Sequence, residues 1–182
     1  VVLVNGRVQP KLCALDGMPD GVLISGLEDL LAAAPDRLEP YLGQIAPLED
    51  MPMAALNTAF LQDGMAIFIG ENIVLDKPVH LISITAPGEG AMMVQPRHIV
   101  VLGPKAEATL IETHITATGG SSFNNIVTEL QLAEGAKLNH FVFQEEADTS
   151  VHLSGTAVSL AAGSFYDSFV LQSGAAIGRS EI

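Results

Sequence analysis

One cysteine, Cys13, serves a chain of 182 residues, which excludes an internal disulfide framework and fits a reducing compartment. A lone thiol is also too few for an iron-sulfur cluster, whose ligands are usually four cysteines or close substitutes. Cys13 therefore reads as an ordinary small residue. Basic side chains are scarce as well: eight Lys and Arg stand against 21 Asp and Glu, a net charge of -13. Such a surface repels a phosphate backbone, so neither nucleic acid nor an anionic membrane is an expected partner. No apolar run approaches the ~18 residues of a membrane span. The opening Val1-Val2-Leu3-Val4 is too short for a signal-peptide core and has no basic flank. A cytoplasmic protein is the expectation.

What the chain has is repetition. With 48% hydrophobic residues it can bury a substantial single core. Four stretches fall on one template: Ile67 and Ile69, Val100 and Leu102, Leu130 and Leu132, Val158 and Leu160, at offsets of 33, 30 and 28 residues. After each pair comes a corner beginning with a small residue, Gly70 to Ile73, Gly103 to Ala106, Ala133 to Ala136 and Ala161 to Ser164, and then a second strand. Strands and tight corners at this period, with no amphipathic helix between copies, predict stacked rungs of a parallel β-helix. Rungs about 4.8 Å apart place like residues above one another, so the four pairs should form inward ladders.

Residues one step away should point outward: Phe68, Val101, Gln131 and Ser159, and likewise Ala66, Ile99, Glu129 and Ala157. The second strand is less decided. Ile111, Phe141 and Phe169 align, as do Thr113, Phe143 and Leu171, but the intervening Ala108, Leu138 and Tyr166 are apolar too. Both faces of that strand should be covered, and its inward face stays open at this point.

Residues 1–64 predict a small mixed cap and residues 65–182 the β-helix core, about four rungs long. Asn5-Gly6 suits a type I′ hairpin turn because both central residues need positive φ. A strand over Val22 to Ile24 follows. Ser25-Gly26-Leu27-Glu28 has the spacing of a capping box, and Leu27, Leu30 and Leu31 give a buried helix face. A short helix should run from Pro35 to about Leu42, and another from Pro52 to Leu61. Pro87 to Gly90, Thr118 to Ser122 and Glu145 to Ser150 read as surface loops. The chain starts without Met and stops as a fresh strand opens, so more chain is expected on both sides.

Reactive side chains do not group in this register. His114 aligns with Gln144 and Gln172, His98 with Thr128 and Thr156, and His140 with Leu110 and Ser168; no two histidines stack, so metal binding is not expected. With His80 and His152 they read as hydrogen-bonded or solvent-facing. The glycine-containing loops lack the Lys and the strand-to-helix setting of a phosphate loop. Many β-helical enzymes cleave polysaccharides with grouped acids. Here Glu112 aligns with valines, Glu129 with Ile99 and Ala157, and Asp167 with Asn139 and Thr109, which weighs against the alternative of a polyuronide-cleaving enzyme. Glu107 and Lys137, one rung apart, should form a surface salt bridge.

Val4-Asn5-Gly6-Arg7, Gly21-Val22-Leu23-Ile24, Leu56-Asn57-Thr58-Ala59-Phe60, Lys77-Pro78-Val79-His80-Leu81, Arg97-His98, Ala106-Glu107-Ala108-Thr109-Leu110-Ile111-Glu112 and Glu129-Leu130-Gln131-Leu132 occur in this order over nearly the whole chain. Together they resemble the SufB/SufD family of iron-sulfur cluster assembly proteins. The Asn-Gly-Arg hairpin is closest to the SufD branch and its central part. The resemblance implies a right-handed β-helix that pairs with SufB and works with the ATPase SufC as a non-enzymatic scaffold. It further implies no cofactor in this stretch, the iron-sulfur cluster being carried transiently by the full assembly. In the family, the SufC-binding helices and the histidine proposed to act with a SufB cysteine lie beyond the position of Ile182. No residue here is therefore assigned a catalytic, cofactor-binding or metal-binding role. The end from Ser164 to Ile182, an open rung, is expected to support a homodimer.

Overall fold

A computed structural model describes residues 1–46, 51–117 and 119–182. The chain opens with the hairpin β1 (Val2–Val4) and β2 (Arg7–Val8), then β3 (Val22–Gly26), α1 (Leu27–Ala33) and α2 (Pro52–Ala59). The rungs follow: β4 (Gly64–Ile69) and β5 (Val79–Thr85), then β6 (Met92–Val94), β7 (Arg97–Leu102) and β8 (Glu107–Thr116). Next come β9 (Ser122–Leu132) and β10 (Lys137–Glu145), β11 (Ser150–Leu160) and β12 (Phe165–Gln172), and finally β13 (Ile177–Glu181).

Two sheets face each other. One runs β12-β10-β8-β5-β1-β2 and the other β13-β11-β9-β7-β4-β3, with β6 beside β9. All pairings between rungs are parallel; only the additions β1/β2 and β3/β4 are antiparallel. This is a β-solenoid of about four turns, as the period requires. Ile67, Val100, Leu130 and Val158 lie in one register column, and Ile69, Leu102, Leu132 and Leu160 in the next. The first three members of each column are buried, while Leu160, with no rung beyond it, is 53% exposed.

Each corner turns on its third residue. Asn72, Lys105, Gly135 and Gly163 have φ of 59°, 57°, 68° and 67°, the left-handed region that glycine enters without steric cost. The corners also stack, the amides of Asn72, Lys105 and Gly135 donating to the carbonyls of Pro104, Glu134 and Ala162 at 2.9 to 3.0 Å. Gly64 is required for another reason: a Cβ there would fall on the Arg97 carbonyl of the adjacent strand.

In the second sheet-forming strand of each rung, Ala108, Leu110 and Leu138 point inward and are buried. The alternate set lies on the outer face, which the run of apolar residues predicted to be covered and which instead stays partly open. Phe165, Phe169 and Leu171 are about half exposed, and the Phe169 ring meets those of Phe141 and Phe143 at centroid distances of 6.4 and 6.3 Å. The other outer face is covered instead. Ala66 and Ile99, at outward positions, are buried because α1 and the segment after it pack Leu27, Leu30 and Leu38 over them, and outward Glu129 is buried beneath Gly43, Ile45 and Ala46.

The cap departs from expectation in detail. Asn5 and Gly6 have the positive φ of a type I′ turn. The capping box does not form; Ser25 Oγ donates to the Gly26 carbonyl, and the Glu28 amide donates instead to Asp63 Oδ1 at 3.0 Å. Asp63 Oδ2 accepts from the Val8 amide at 2.8 Å, so one distant carboxylate ties helix to hairpin. Leu31 is exposed rather than on the buried face of α1. Pro35 begins only a 3-10 turn, Pro35–Arg37, and not a helix to Leu42. Gly88, Glu89 and Gly90 are exposed, but Pro87, Ser122, Glu146 and Ser150, also placed in surface loops by the sequence, are buried; Thr118 lies outside the described residues. The Lys137–Glu107 bridge forms at 2.7 Å on the surface.

Candidate functional site

The solenoid interior has a dry half and a polar half. Beside the tight corners the inward positions carry the Ile, Val and Leu columns with Ala106, Ala108, Ala136 and Leu138. Toward the far ends of the same strands, period-2 alternation aims Glu112 and His114 of β8, His140 and Gln144 of β10, Asn124 of β9, His98 of β7 and His152 of β11 into the interior, and all are at most 2% exposed. Glu146, just after β10, joins them at 4%.

These side chains form two linked groups. His140 Nε2 lies 3.0 Å from Glu112 Oε1, and His140 Nδ1 lies 3.0 Å from the Tyr166 hydroxyl on the last complete rung. His114 Nε2 approaches Glu112 Oε2 at 3.3 Å, off the line of a good hydrogen bond. The His114 ring meets the His152 ring edge-on at 5.0 Å between centroids. His152 Nδ1 lies 2.8 Å from Glu146 Oε2, again off the line of a good hydrogen bond; that oxygen accepts from Gln144 Nε2 at 3.0 Å, and Glu146 Oε1 accepts from Asn124 Nδ2 at 2.6 Å. A cavity of about 10 Å³, lined by His114, Asn124, Glu146, Ser83 and Thr85 among others, adjoins the second group and is close to the volume of one water.

The electrostatics follow from burial and donors. Burial alone would raise the Glu112 carboxyl, but the adjacent His114 imidazole and the hydrogen bond with His140 hold it well below the usual carboxylate range. Glu146 is likewise penalised by burial yet lowered, chiefly by His152 and Gln144. Burial lowers His152 in spite of Glu146. An imidazole that is neutral at pH 7 cannot also supply the charge that depresses its partner, so the N–H donors are what stabilise the Glu146 carboxylate. His98 is lowered to about 4 by burial. Its Nδ1 accepts from the Met65 amide at 3.1 Å, which fixes the neutral tautomer with the proton on Nε2.

A second polar centre lies outside the solenoid wall, beneath the cap. Glu129 accepts from Arg97 Nε and Nη2 at 2.8 and 2.6 Å and from the amides of Gly43, Ile45 and Ala46 at 2.8 to 3.0 Å. Asn57 of α2 donates to the carbonyls of Pro96 and Asn125 at 2.8 and 2.9 Å, so the cap is held to the rungs by buried polar contacts. Cys13, half-buried, sits by the carbonyls of Val2 and Gln9, away from both centres. Among the described residues no three His, Cys, Asp or Glu side chains are arranged to hold a metal ion.

Sequence reasoning placed His98, His114 and His140 in their correct columns and missed the convergence, because His114, His140 and His152 meet across rungs and across sheets rather than within one column. The signal was parity: once Leu110 and Leu138 are inward, Glu112, His114 and His140 are inward as well.

Fold and site together define a parallel β-solenoid with a mixed cap and an acid-histidine interior. Comparison with known families resolves the class further. The model described as "SUF system FeS cluster assembly, SufBD core domain" matches residues 83–182, and that of the "SufBD protein N-terminal region" matches residues 1–81. The chain belongs to the SufBD family, a scaffold component of iron-sulfur cluster assembly. It is 29% identical over its whole length to the iron-sulfur cluster assembly SufBD family protein slr0076 of Synechocystis, covering 42% of that protein. It is 25% identical, again over its whole length, to protein ABCI7, chloroplastic, of Arabidopsis thaliana, covering 39%. The SufBD family protein ABCI9 of the same plant is 28% identical over 88% of the chain. The chain thus spans about two fifths of the length of these relatives. No helix among the described residues is long and apolar enough to cross a membrane.

Proposed function

We propose that the chain is the central part of a SufD-like scaffold that pairs with a SufB-type partner and works with the SufC ATPase in the cytoplasm. It binds the nascent cluster only as part of the full assembly and performs no catalysis alone. Family membership supports the assembly role. The observation that carries the reading is the match of both SufBD family models, which together take in residues 1–81 and 83–182 of the chain. The test is co-expression of the full-length gene product with the SufB and SufC proteins of the same organism, followed by gel filtration. Co-elution of all three is expected. Elution of this protein apart from both would overturn the pairing.

A further inference from the structure

The two sheets of the solenoid differ on their outer faces. On the sheet of β4, β9 and β11 the cap lies over the outward residues, α1 packing on β3 and β4 and α2 on β9 and β11. The sheet of β5, β8 and β10 is just as apolar outside. Period-2 alternation from the buried Leu81, Leu110 and Leu138 puts Ile82, Ile84, Ile111, Ile115, Phe141 and Phe143 on its outer face. They stack in three adjacent columns: Ile111 with Phe141, Ile82 with Phe143 across Thr113, and Ile84 with Ile115. All six are half-buried, and none belongs to the apolar clusters of the core and cap. None lies on the last rung, so further layers of solenoid would lengthen this face and leave it uncovered. A contiguous apolar surface of this kind marks an interaction site.

The dimensions and rim of the face select its occupant. With β1 on one side and β12 on the other it is five strands deep. That depth is roughly 19 Å at ~4.8 Å per strand, the rise of about 13 helical residues. Three columns are about 13 Å wide, close to the ~10–12 Å of a helix with its side chains. The rim is acidic. Glu145 stands in register with Ile115, and Asp167 lies on the same face two residues before Phe169; both are exposed, and neither is in an ion pair among the described residues. A second copy of this chain would set the same acids against each other and add a further net charge of -13, so it fits poorly. An amphipathic helix with Lys or Arg beside its apolar stripe matches both the columns and the rim.

We propose that this face seats such a helix, supplied by the full-length protein from outside residues 1–182. Relatives matched along the whole of this chain are more than twice its length, and the chain already covers the opposite sheet with helices of its own. A helix joined to the face by the same polypeptide acts at high effective concentration, so modest apolar burial holds it there. The seat does not depend on the assembly role proposed above.

The experiment uses the purified full-length protein. A photoreactive benzoylphenylalanine in place of Phe143 should crosslink within its own polypeptide, to a peptide outside residues 1–182 whose apolar residues recur at i, i+3, i+4 and i+7 beside Lys or Arg. Phe143→Cys should react with a maleimide at least about tenfold more slowly than Asn139→Cys, an exposed position on the same strand, with both read at that peptide by mass spectrometry. Equal labelling rates would overturn the seat. So would crosslinks between copies with protection lost on dilution, or protection that appears only when the SufB and SufC proteins are added. A crosslinked segment without the amphipathic pattern would overturn the helix. The first two measurements involve neither SufB nor SufC, so failed co-elution would overturn the assembly role and leave the seat standing.

Discussion

Glu129 shows how much one side chain can hold. Both of its oxygens accept from Arg97 or from the amides of Gly43, Ile45 and Ala46, and the carboxylate itself is fully buried. Glu129→Ala removes the counter-charge of a buried guanidinium, which keeps only its contacts with Asn57 and Thr58, and the acceptor of three amides, so it should cost about 3 to 5 kcal/mol in urea denaturation. His98 gives a pH dependence of definite sign. Its pKa is lowered from 6.5 to about 4 on folding, so between those values the unfolded chain binds more protons and stability rises with pH. Acidification across that window should remove roughly 3 kcal/mol, the equivalent of its shift. Glu112, a depressed carboxylate, loses its contribution as pH falls through its folded pKa and steepens the loss below. Denaturation series at stepped pH should show this slope, and His98→Gln should flatten its upper part.

At the scale of elements, the corners set the geometry that the strands continue. Lys105 occupies a left-handed position that Gly135 and Gly163 fill in later rungs, at φ 57°. Lys105→Gly should therefore raise stability by up to about 1 kcal/mol through relief of that strain, whereas Gly135→Ala should lower it by a comparable amount, both by thermal unfolding. The ladders were legible in sequence because stacking repeats the same residue type in the same column, as Ile69, Leu102 and Leu132 do. Two features were not. The outward Glu129 reads as a solvent-facing residue until the cap is laid over it. The interior cluster depends on the meeting of β8 with β11 across the solenoid, and period-2 reading gave no parity for β8 and β10 because Leu138 and Phe141 are both apolar, one inside and one out. The Asp63 cap of α1 was hidden for a similar reason, its contacts to Val8 and Glu28 being 55 and 35 residues distant.

For the whole molecule, the last rung governs behaviour in solution. Leu160, Phe165, Phe169, Ile177 and Ile182 are each at least half exposed, and β12 and β13 each present an unpaired edge. The chain by itself should self-associate through residues 164–182 at high concentration, read as a concentration-dependent mass in light scattering. A strictly monomeric mass would contradict this, and a Lys substitution at Leu160 should shift the equilibrium toward monomer.

A stack in which each layer touches only its neighbours also melts in an order. The β4 layer is clamped by the antiparallel β3 on one side and by β7 on the other, whereas β12 has a single neighbour. Fraying should start there and run backward layer by layer, so amide hydrogen exchange would be fastest in β12 and β13 and slowest in β7 and β8. A partner docked on the open end would act as a clasp on the entire zipper, raising protection several layers from where it binds.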